Sequence, residues 1–380
     1  MNTTSTQSSG APSRLTLLTG AGQSIWLDFI TRDLLRTGEL ARLIDHDGVT
    51  GVTSNPALFQ KAISEGAAYE TAIRTHAREG MTPSQIYEAI AIEDIREACD
   101  LLAPVYERTQ ARDGYVSLEV NPHLARDPVA TATEARRLFS AVARPNLMIK
   151  IPGTAEALPA ISNAIAEGVN INVTLIFSVE RYEQVLEAWL SGLEAAARNR
   201  SLRLARIASV ASFFVSRVDA AVDALLRKDS PAAALRGAAA IANAAAAYGR
   251  FLEVRASSRF RALAALGAQV QRPLWASTSP KSPSYRDVVY AEGLVAADSV
   301  NTLPPQTLAA FRDHGEVRND LATPAVQADA ARVLKALAAA GVDLGSVASR
   351  LERDGVKLFA DAFDALLETI ARKSSVPTAA

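Results

Sequence analysis

Eight short runs of strand-forming residues alternate with longer helical patterns along the sequence, an order typical of parallel strands joined by crossover helices. This order predicts an α/β fold, a closed (β/α)8 TIM barrel with additional helices, including a long C-terminal helix. The sequence contains no Gly-rich dinucleotide-binding fingerprint, which would favour an open doubly wound sheet. We expect a flexible tail over residues 1–22, a barrel domain over residues 23–320, and C-terminal helices over residues 321–380 that pack on the barrel.

The strand runs consist of apolar or β-branched residues and stop at polar or turn-forming residues. In chain order they cover residues 25–27, 49–53, 115–120, 147–151, 169–175, 207–215, 273–277 and 299–302. After the first run, apolar spacing predicts one helix over residues 34–44, with Gly48 as its stop signal.

Capping residues predict where several later helices begin. They are Thr82, Asp127, Thr154, Ser178 and Thr323. Thr82 also forms a capping box with Gln85. The last helix is expected over residues 344–370, where an apolar stripe would pack on the barrel or, alternatively, form a partner interface. The stripe consists of Val356, Leu358, Phe359, Phe363, Leu366, Leu367 and Ile370.

Composition excludes several classes of protein. The 380 residues are 49% hydrophobic, which is enough for a sizeable core, and the formal net charge of -1 lacks the basic excess of nucleic-acid-binding proteins. No stretch is long and apolar enough to span a membrane, and residues 1–14 lack the apolar segment of a signal peptide. We therefore expect a cytoplasmic protein without a nucleic-acid or membrane partner. Cys99 is the only cysteine and is expected in the core.

Lys150 is the most unusual residue of the strand runs. It interrupts the apolar run of residues 147–151, which is followed by a Pro-Gly pair. An ammonium group at a buried position loses hydration, and this favours the neutral amine. Neutral lysines are nucleophiles that form Schiff bases with carbonyl substrates. The alternative is that Lys150 reaches solvent from a strand end without a catalytic role.

Other polar residues also lie at or just after the carboxyl ends of the predicted strands, where the active sites of such barrels are built. They are Asp28, Asn55, Glu119, Asn172, Thr174, Ser212, Arg217 and Ser277. Each of them alone could be a solvated loop residue, but their convergence around Lys150 predicts a site.

The residue types suit the chemistry of a Schiff base. Asp28 or Glu119 could take and return a proton when a carbon–carbon bond breaks, and a Thr hydroxyl with a bound water could assist dehydration. The amides of Asn55 and Asn172 suit sugar hydroxyls because each offers a donor and an acceptor. The remaining candidate residues carry guanidinium, hydroxyl and ammonium groups that suit a terminal phosphate. They are Arg217, Ser212, Ser277 and Lys281.

Five motifs in the expected order resemble those of transaldolase, and the likeness runs from about residue 25 to about residue 315. The motifs cover residues 51–56 (GVTSNP), 116–120 (VSLEV), 148–154 (MIKIPGT), 168–178 (GVNINVTLIFS) and 215–219 (VSRVD). The resemblance implies a class I aldolase without metal or other cofactor, in the non-oxidative pentose phosphate pathway. Such an enzyme moves a dihydroxyacetone unit from a ketose phosphate (sedoheptulose 7-phosphate or fructose 6-phosphate) to an aldose phosphate (glyceraldehyde 3-phosphate or erythrose 4-phosphate). The family also makes a homodimer possible.

The resemblance implies a role for each candidate residue. Lys150 matches the Schiff-base lysine, Asp28 the acid/base for the C4 hydroxyl, and Glu119 with Thr174 the pair that handles water. Asn55 and Asn172 match the residues that hold the dihydroxyacetone hydroxyls. The phosphate pocket is matched by Ser212, Arg217 and Ser277.

Two alternatives to a transaldolase remain at this point. Fructose 6-phosphate aldolases, which release free dihydroxyacetone, resemble the sequence but typically carry Gln at the position of Glu119 and Tyr at that of Phe214. A non-catalytic sugar-phosphate-binding barrel is the other. The sequence departs from many transaldolases at Ser279, where they carry arginine. Either Lys281 supplies the missing charge, or the pocket relies more heavily on Arg217.

The remaining polar signals are interpreted as structural. His46, His76, His123 and His314 show no ligand spacing, so no metal site is expected. Tyr285 and Tyr290 follow the seventh strand at helical spacing and are expected to pack.

Overall fold

The computed structural model describes residues 13–375, and within this range eight parallel strands form a closed barrel. The strands are β1 (Gln23–Leu27), β2 (Val49–Thr53), β3 (Tyr115–Glu119), β4 (Leu147–Pro152), β5 (Ile171–Ile176), β6 (Ser209–Phe214), β7 (Arg272–Ala276) and β8 (Ser299–Leu303). Each strand pairs with the next one along the chain, and β8 closes the barrel on β1. The predicted (β/α)8 barrel is confirmed.

Helices precede, connect and follow the strands. They are α1 (Arg14–Gly20), α2 (Arg32–Arg36), α3 (Glu39–Asp47), α4 (Pro56–Glu65), α5 (Glu70–Arg78), α6 (Pro83–Arg108), α7 (Pro128–Val142), α8 (Leu158–Ala166), α9 (Val179–Ala197), α10 (Ser216–Leu225), α11 (Ala239–Ala256), α12 (Ser258–Ala265), α13 (Val289–Gly293), α14 (Pro305–His314), α15 (Pro324–Ala339) and α16 (Leu344–Ser375). Among the described residues, no helix is both long and apolar enough to cross a membrane.

Side-chain caps fix most of the predicted helix starts. At α6, the Thr82 hydroxyl accepts a hydrogen bond from the Gln85 amide at 3.3 Å while Gln85 Oε1 accepts one from the Thr82 amide at 2.8 Å, which is the predicted capping box. Asp127, Ser178 and Thr323 cap α7, α9 and α15 as expected.

Two local predictions are wrong. The single helix over residues 34–44 is divided into α2 and α3, because Gly38 adopts a left-handed conformation (φ 83°) that interrupts the helical backbone. Thr154 does not cap a helix, since α8 begins only at Leu158. The Thr154 hydroxyl instead donates to the Ala125 carbonyl at 2.6 Å, which ties the loop after β4 to the loop after β3.

The two ends of the chain differ from their expected form. Residues 1–12 of the predicted tail lie outside the described residues, but the prediction is wrong for residues 13–22, because α1 buries Leu15 and Leu18 completely. At the other end, α16 packs on α4, α5, α6, α10 and β5. Its buried stripe is narrower than predicted, since Leu358 is 46% exposed.

The barrel is tightly packed around Trp26, which is fully buried. Its indole nitrogen donates to Asp113 at 2.8 Å, and this bond fixes the position of the ring. The backbone of Gly51 lies directly against the ring, where a Cβ atom would come within 2.5 Å of Trp26. Only glycine fits at this point of β2, two residues before Thr53 in the site described below.

Gly51→Ala should therefore destabilise the folded chain. The added methyl group overlaps a ring that cannot move without losing its hydrogen bond, and overpacking of this kind costs roughly 1–3 kcal/mol. Thermal unfolding measures the effect. Gly20→Ala is the matched control, because a Cβ atom at Gly20 meets nothing within 4 Å, and it should leave the unfolding temperature nearly unchanged. Equal unfolding temperatures for the two variants would contradict this packing argument.

Candidate active site

A cavity of about 220 Å³, called the barrel cavity below, lies at the carboxyl ends of the strands. Its lining includes eight of the ten predicted site residues: Asp28, Asn55, Lys150, Thr174, Ser212, Arg217, Ser277 and Lys281. Glu119 and Asn172 do not line it. Further lining residues that sequence reasoning did not select for the site are Thr53, Phe214, Ala276, Ser279, Thr302, Pro304, Gln306 and Phe359.

Strand register explains why Glu119, Lys150 and Asn172 lie together. Lys150 on β4 pairs with Glu119 on β3 and with Asn172 on β5. Paired residues on adjacent parallel strands point to the same face of the sheet, so all three side chains form one layer. Of these three residues, only Lys150 lines the barrel cavity.

The Lys150 amine is almost completely buried, with a relative exposure of 5% for the residue. Its Nζ donates to the Ser54 carbonyl at 3.2 Å and lies 3.6 Å from Glu119 Oε2. The ring centroid of Phe359 is 5.6 Å from the same nitrogen. The amine is thus held between one carbonyl, one carboxylate and one aromatic ring, and it borders the barrel cavity.

Glu119 is buried, and neither oxygen of its carboxylate accepts a hydrogen bond from any described residue. Burial raises the pKa of Glu119 to about 7, and the opposing attraction of Lys150 offsets only part of this effect. A smaller cavity of about 50 Å³ borders Glu119 on the side of α6 and α7, where its lining includes Tyr87 and Asn121. The carboxyl group therefore exchanges protons near neutral pH and lies beside both the amine and this smaller cavity.

Asp28 follows β1 and accepts a hydrogen bond from the Thr53 hydroxyl at 2.8 Å. Burial raises the pKa of Asp28, while Lys150, Thr53 and Lys281 act in the opposite direction. The Thr53 hydroxyl oxygen also lies 2.9 Å from that of Thr302 on β8, the other neighbour of β1. Asp28 is consequently a base of increased proton affinity with an orientation fixed by Thr53.

Asn172 is held on both sides of its amide. Its Nδ2 donates to Ser117 at 3.0 Å, and its Oδ1 accepts from Ser212 at 2.7 Å. Since Asn172 does not line the barrel cavity, it contacts the cavity through Ser212, which does.

By contrast, the buried Thr174 hydroxyl borders the cavity and has no hydrogen-bond partner within residues 13–375, so it is available to a ligand or a water.

Asn55 has a structural task as well as a place in the lining. Its Oδ1 accepts a hydrogen bond from the Leu58 amide at 3.0 Å and caps α4. The cap uses only the oxygen, so the Nδ2 group remains for a ligand in the barrel cavity.

Two basic residues bring positive charge to the barrel cavity. Arg217 at the start of α10 and Lys281 in the loop after β7 both line it, and in the described part of the chain no carboxylate lies within salt-bridge distance of either group. Burial lowers the pKa of Arg217, and burial together with the Arg217 charge lowers the pKa of Lys281. Two cations without an ionic partner in a cavity are suited to an anion.

Hydrogen bonds hold the loop that carries Lys281 against α10. The Ser216 amide donates to the carbonyl of Ser277, which has a left-handed backbone (φ 56°). Farther along, Tyr285 donates to Asp223, and Tyr290 donates to Asp219 at 2.8 Å. Tyr285 and Tyr290 therefore have the structural role expected of them, and they fix the loop next to Arg217.

At Ser279, the position of the missing arginine, the hydroxyl lies 2.7 Å from that of Thr307. Ser279 lines the barrel cavity but brings no charge to it.

No signal in the sequence distinguished the remaining lining residues. Phe359 lies in an apolar stripe of α16 that any packed helix would show, and Gln306 lies in the first turn of α14. Within residues 13–375, no group of three or more His, Cys, Asp or Glu side chains is arranged to hold a metal ion. Cys99 is buried in the core.

A family model described as Transaldolase/Fructose-6-phosphate aldolase matches residues 25–370. The chain belongs to this family. A transaldolase of Saccharopolyspora erythraea is 51% identical over 358 residues, which cover 94% of this chain and 97% of that protein. A transaldolase of Thermobifida fusca is 49% identical over 97% of this chain and 100% of its own length. The family resemblance expected from the five motifs is confirmed.

Glu119→Gln should change how stability depends on pH. Because the pKa of Glu119 rises from 4.5 to about 7 on folding, the folded chain favours the neutral form, and wild type loses stability as the pH increases through this interval. The variant cannot ionise at this position. Its free energy of unfolding relative to wild type should therefore increase over the same interval by roughly 3 kcal/mol, which appears as a higher relative unfolding temperature.

Thermal unfolding from about pH 4 to about pH 8 measures this difference. Glu65→Gln is the control, because Glu65 is exposed and lies outside the site. If the Glu119 variant and wild type gave parallel curves, the raised pKa of Glu119 would be wrong.

Proposed function

We propose that the chain is a transaldolase that moves a dihydroxyacetone unit from sedoheptulose 7-phosphate or fructose 6-phosphate to glyceraldehyde 3-phosphate or erythrose 4-phosphate. The observation that carries the proposal is the buried Lys150 amine, 3.6 Å from the carboxylate of Glu119 at the border of the barrel cavity. Relatives named transaldolase, about half identical over nearly the whole chain, support it. The activity belongs to the non-oxidative pentose phosphate pathway.

The first steps attach the donor to Lys150. The neutral amine attacks the C2 carbonyl of the ketose phosphate and forms a carbinolamine, which loses water to give an imine. Expulsion of water requires a proton at the departing hydroxyl. Glu119, with its pKa of about 7, supplies this proton near neutral pH, and the unpartnered Thr174 hydroxyl orients the water.

The carbon–carbon bond then breaks with the help of Asp28. Its carboxylate removes the proton of the C4 hydroxyl, the C3–C4 bond breaks, and the electron pair is delocalised from C3 into the imine as an enamine. The raised pKa of Asp28 favours proton uptake, and Thr53 holds the carboxylate in place. An aldose phosphate leaves, and an acceptor aldose phosphate reverses the same steps.

Two groups of residues in and beside the barrel cavity bind the two ends of the donor. Asn55 and Asn172 hold the hydroxyls of the three-carbon unit, and the Ser212 hydroxyl orients Asn172 by donating to its Oδ1. The phosphate is held by Ser212, Arg217, Ser277 and Lys281, and Lys281 supplies the charge that Ser279 lacks.

Two observations favour transfer over simple release of dihydroxyacetone. Glu119 and Phe214 occupy the positions at which the related aldolases typically carry Gln and Tyr, and Phe214 lines the barrel cavity. A cytoplasmic location and a homodimer belong to the same proposal, supported by the charge and composition of the chain and by its family.

Borohydride reduction in the presence of fructose 6-phosphate should inactivate the enzyme and leave a covalent three-carbon adduct on Lys150, because the reagent reduces the imine to a stable amine. Peptide mapping by mass spectrometry locates the adduct. Lys150→Ala should lose the adduct and reduce kcat by at least about 10⁴-fold. Lys335→Ala, which removes an exposed lysine from α15, should behave like wild type. An unmodified Lys150, or full activity of the Lys150 variant, would refute the mechanism.

Lys281→Ala should raise KM for fructose 6-phosphate by about tenfold and change kcat little, because the phosphate contact is present in both the ground state and the transition state. The same substitution should weaken inhibition by inorganic phosphate to a similar extent. Steady-state kinetics measures both effects. Lys228→Ala, outside the cavity lining, is the control. An unchanged KM would assign the phosphate to Arg217 without Lys281.

A further inference from the structure

The C-terminal helix α16 contributes Phe359 to the barrel cavity, directly beside the Lys150 amine. We propose that Phe359 determines the fate of the three-carbon intermediate: its ring keeps water from the carbanion, so that the unit is transferred to an aldose phosphate and not released as dihydroxyacetone. This inference rests on the proposed function and adds a specificity-determining residue to it.

The position of Phe359 is fixed by its surroundings. Gly355, one turn earlier on α16, lies so close to β5 that a Cβ atom would come within 3.0 Å of the Leu175 side chain. On either side of this contact, α16 is joined to the rest of the chain by an ion pair of Glu352 with Arg181 at 3.1 Å and by a hydrogen bond between Asp364 and His123 at 2.8 Å. These contacts place Phe359 over the ends of β4 and β5.

Phe359 is 5% exposed, and its ring faces the amine at 5.6 Å. Most side chains around it in the cavity carry hydroxyl, carboxyl or amide groups that can bind water, among them Asp28, Asn55 and Thr174. Phe214, the other aromatic residue of the lining, is 5.8 Å from the Arg217 guanidinium, toward the phosphate side. Phe359 is thus the aromatic residue that shields the amine side of the cavity.

The chemistry explains why water at this point changes the products. After C3–C4 cleavage, Asp28 holds the proton from the C4 hydroxyl and the enamine holds the electron pair at C3. In transfer, C3 attacks the acceptor aldehyde, and the proton goes to the new hydroxyl. In release, C3 takes up a proton, one water adds to the imine carbon, and the amine departs. That water replaces the one lost when the imine formed, so both routes are balanced.

Only release requires protonation of C3 and hydrolysis before an acceptor arrives. Exclusion of water protects reactive intermediates from this kind of side reaction. Removal of the Phe359 ring would leave a space next to the imine that is large enough for water and bordered by polar groups that can hold it. The resulting defect is specific, because it increases release relative to transfer.

The test compares two product rates on the same enzyme preparation. Free dihydroxyacetone formed from fructose 6-phosphate without acceptor measures release, and sedoheptulose 7-phosphate formed with erythrose 4-phosphate measures transfer. For Phe359→Ala, the ratio of release to transfer should rise about tenfold above wild type. Leu358→Ala is the matched control: it shortens the neighbouring residue of the same helix, but the side chain is exposed and outside the cavity, so the ratio should stay unchanged.

Phe359→Leu keeps an apolar side chain without the ring and should raise the ratio about threefold, and it decides the question if the alanine variant does not fold. A merely structural role would lower both rates together, so an unchanged ratio in the folded variants would overturn the inference. Borohydride trapping on wild type separates the two levels of the proposal. Failure to trap Lys150 contradicts the proposed function, whereas trapping with an unchanged ratio contradicts only the role of Phe359.

Discussion

The placement of Lys150 opposite Glu119 inside a closed parallel barrel is the constraint on which the rest of the site depends. Burial of Glu119 raises the pKa of its carboxyl group to about 7, although the amine that lowers this pKa is only 3.6 Å away. At the surface, water would screen the same pair, and the attraction between the two groups would contribute little to stability. Loss of hydration at Glu119 therefore creates a proton donor and acceptor for neutral pH.

The barrel needs several unusual contacts to hold these groups. Trp26 presses against Gly51, and Thr53, two residues farther along β2, orients Asp28. Asn172 is bonded on both sides and places Ser212 in the lining. These residues stabilise the strands and at the same time fix the directions of cavity side chains. Packing in the barrel and geometry of the site are consequently the same set of contacts.

Much of the fold and of the candidate site could be predicted because the signals are local. Alternation of strand and helix patterns gave the barrel, and the capping box at Thr82 fixed the start of α6. The predictions were wrong where a long-range contact or a single backbone angle outweighed the local sequence pattern. Gly38 interrupts a helix that apolar spacing alone makes continuous, Thr154 bonds to the Ala125 carbonyl, and α1 becomes ordered because Leu15 and Leu18 find a core to enter.

The sequence by itself determined the family, the order of the strands and the residues at their carboxyl ends, since these depend on periodicity and on motifs that are contiguous in the chain. Only the tertiary structure decided that Asn172 contacts the cavity through Ser212, that Lys281 lies near Arg217, and that Phe359 covers the Lys150 amine. The physical reason is distance along the chain. Phe359 lies more than 200 residues from Lys150, and its apolar spacing on α16 is that of an ordinary packed helix until the fold brings it to the cavity.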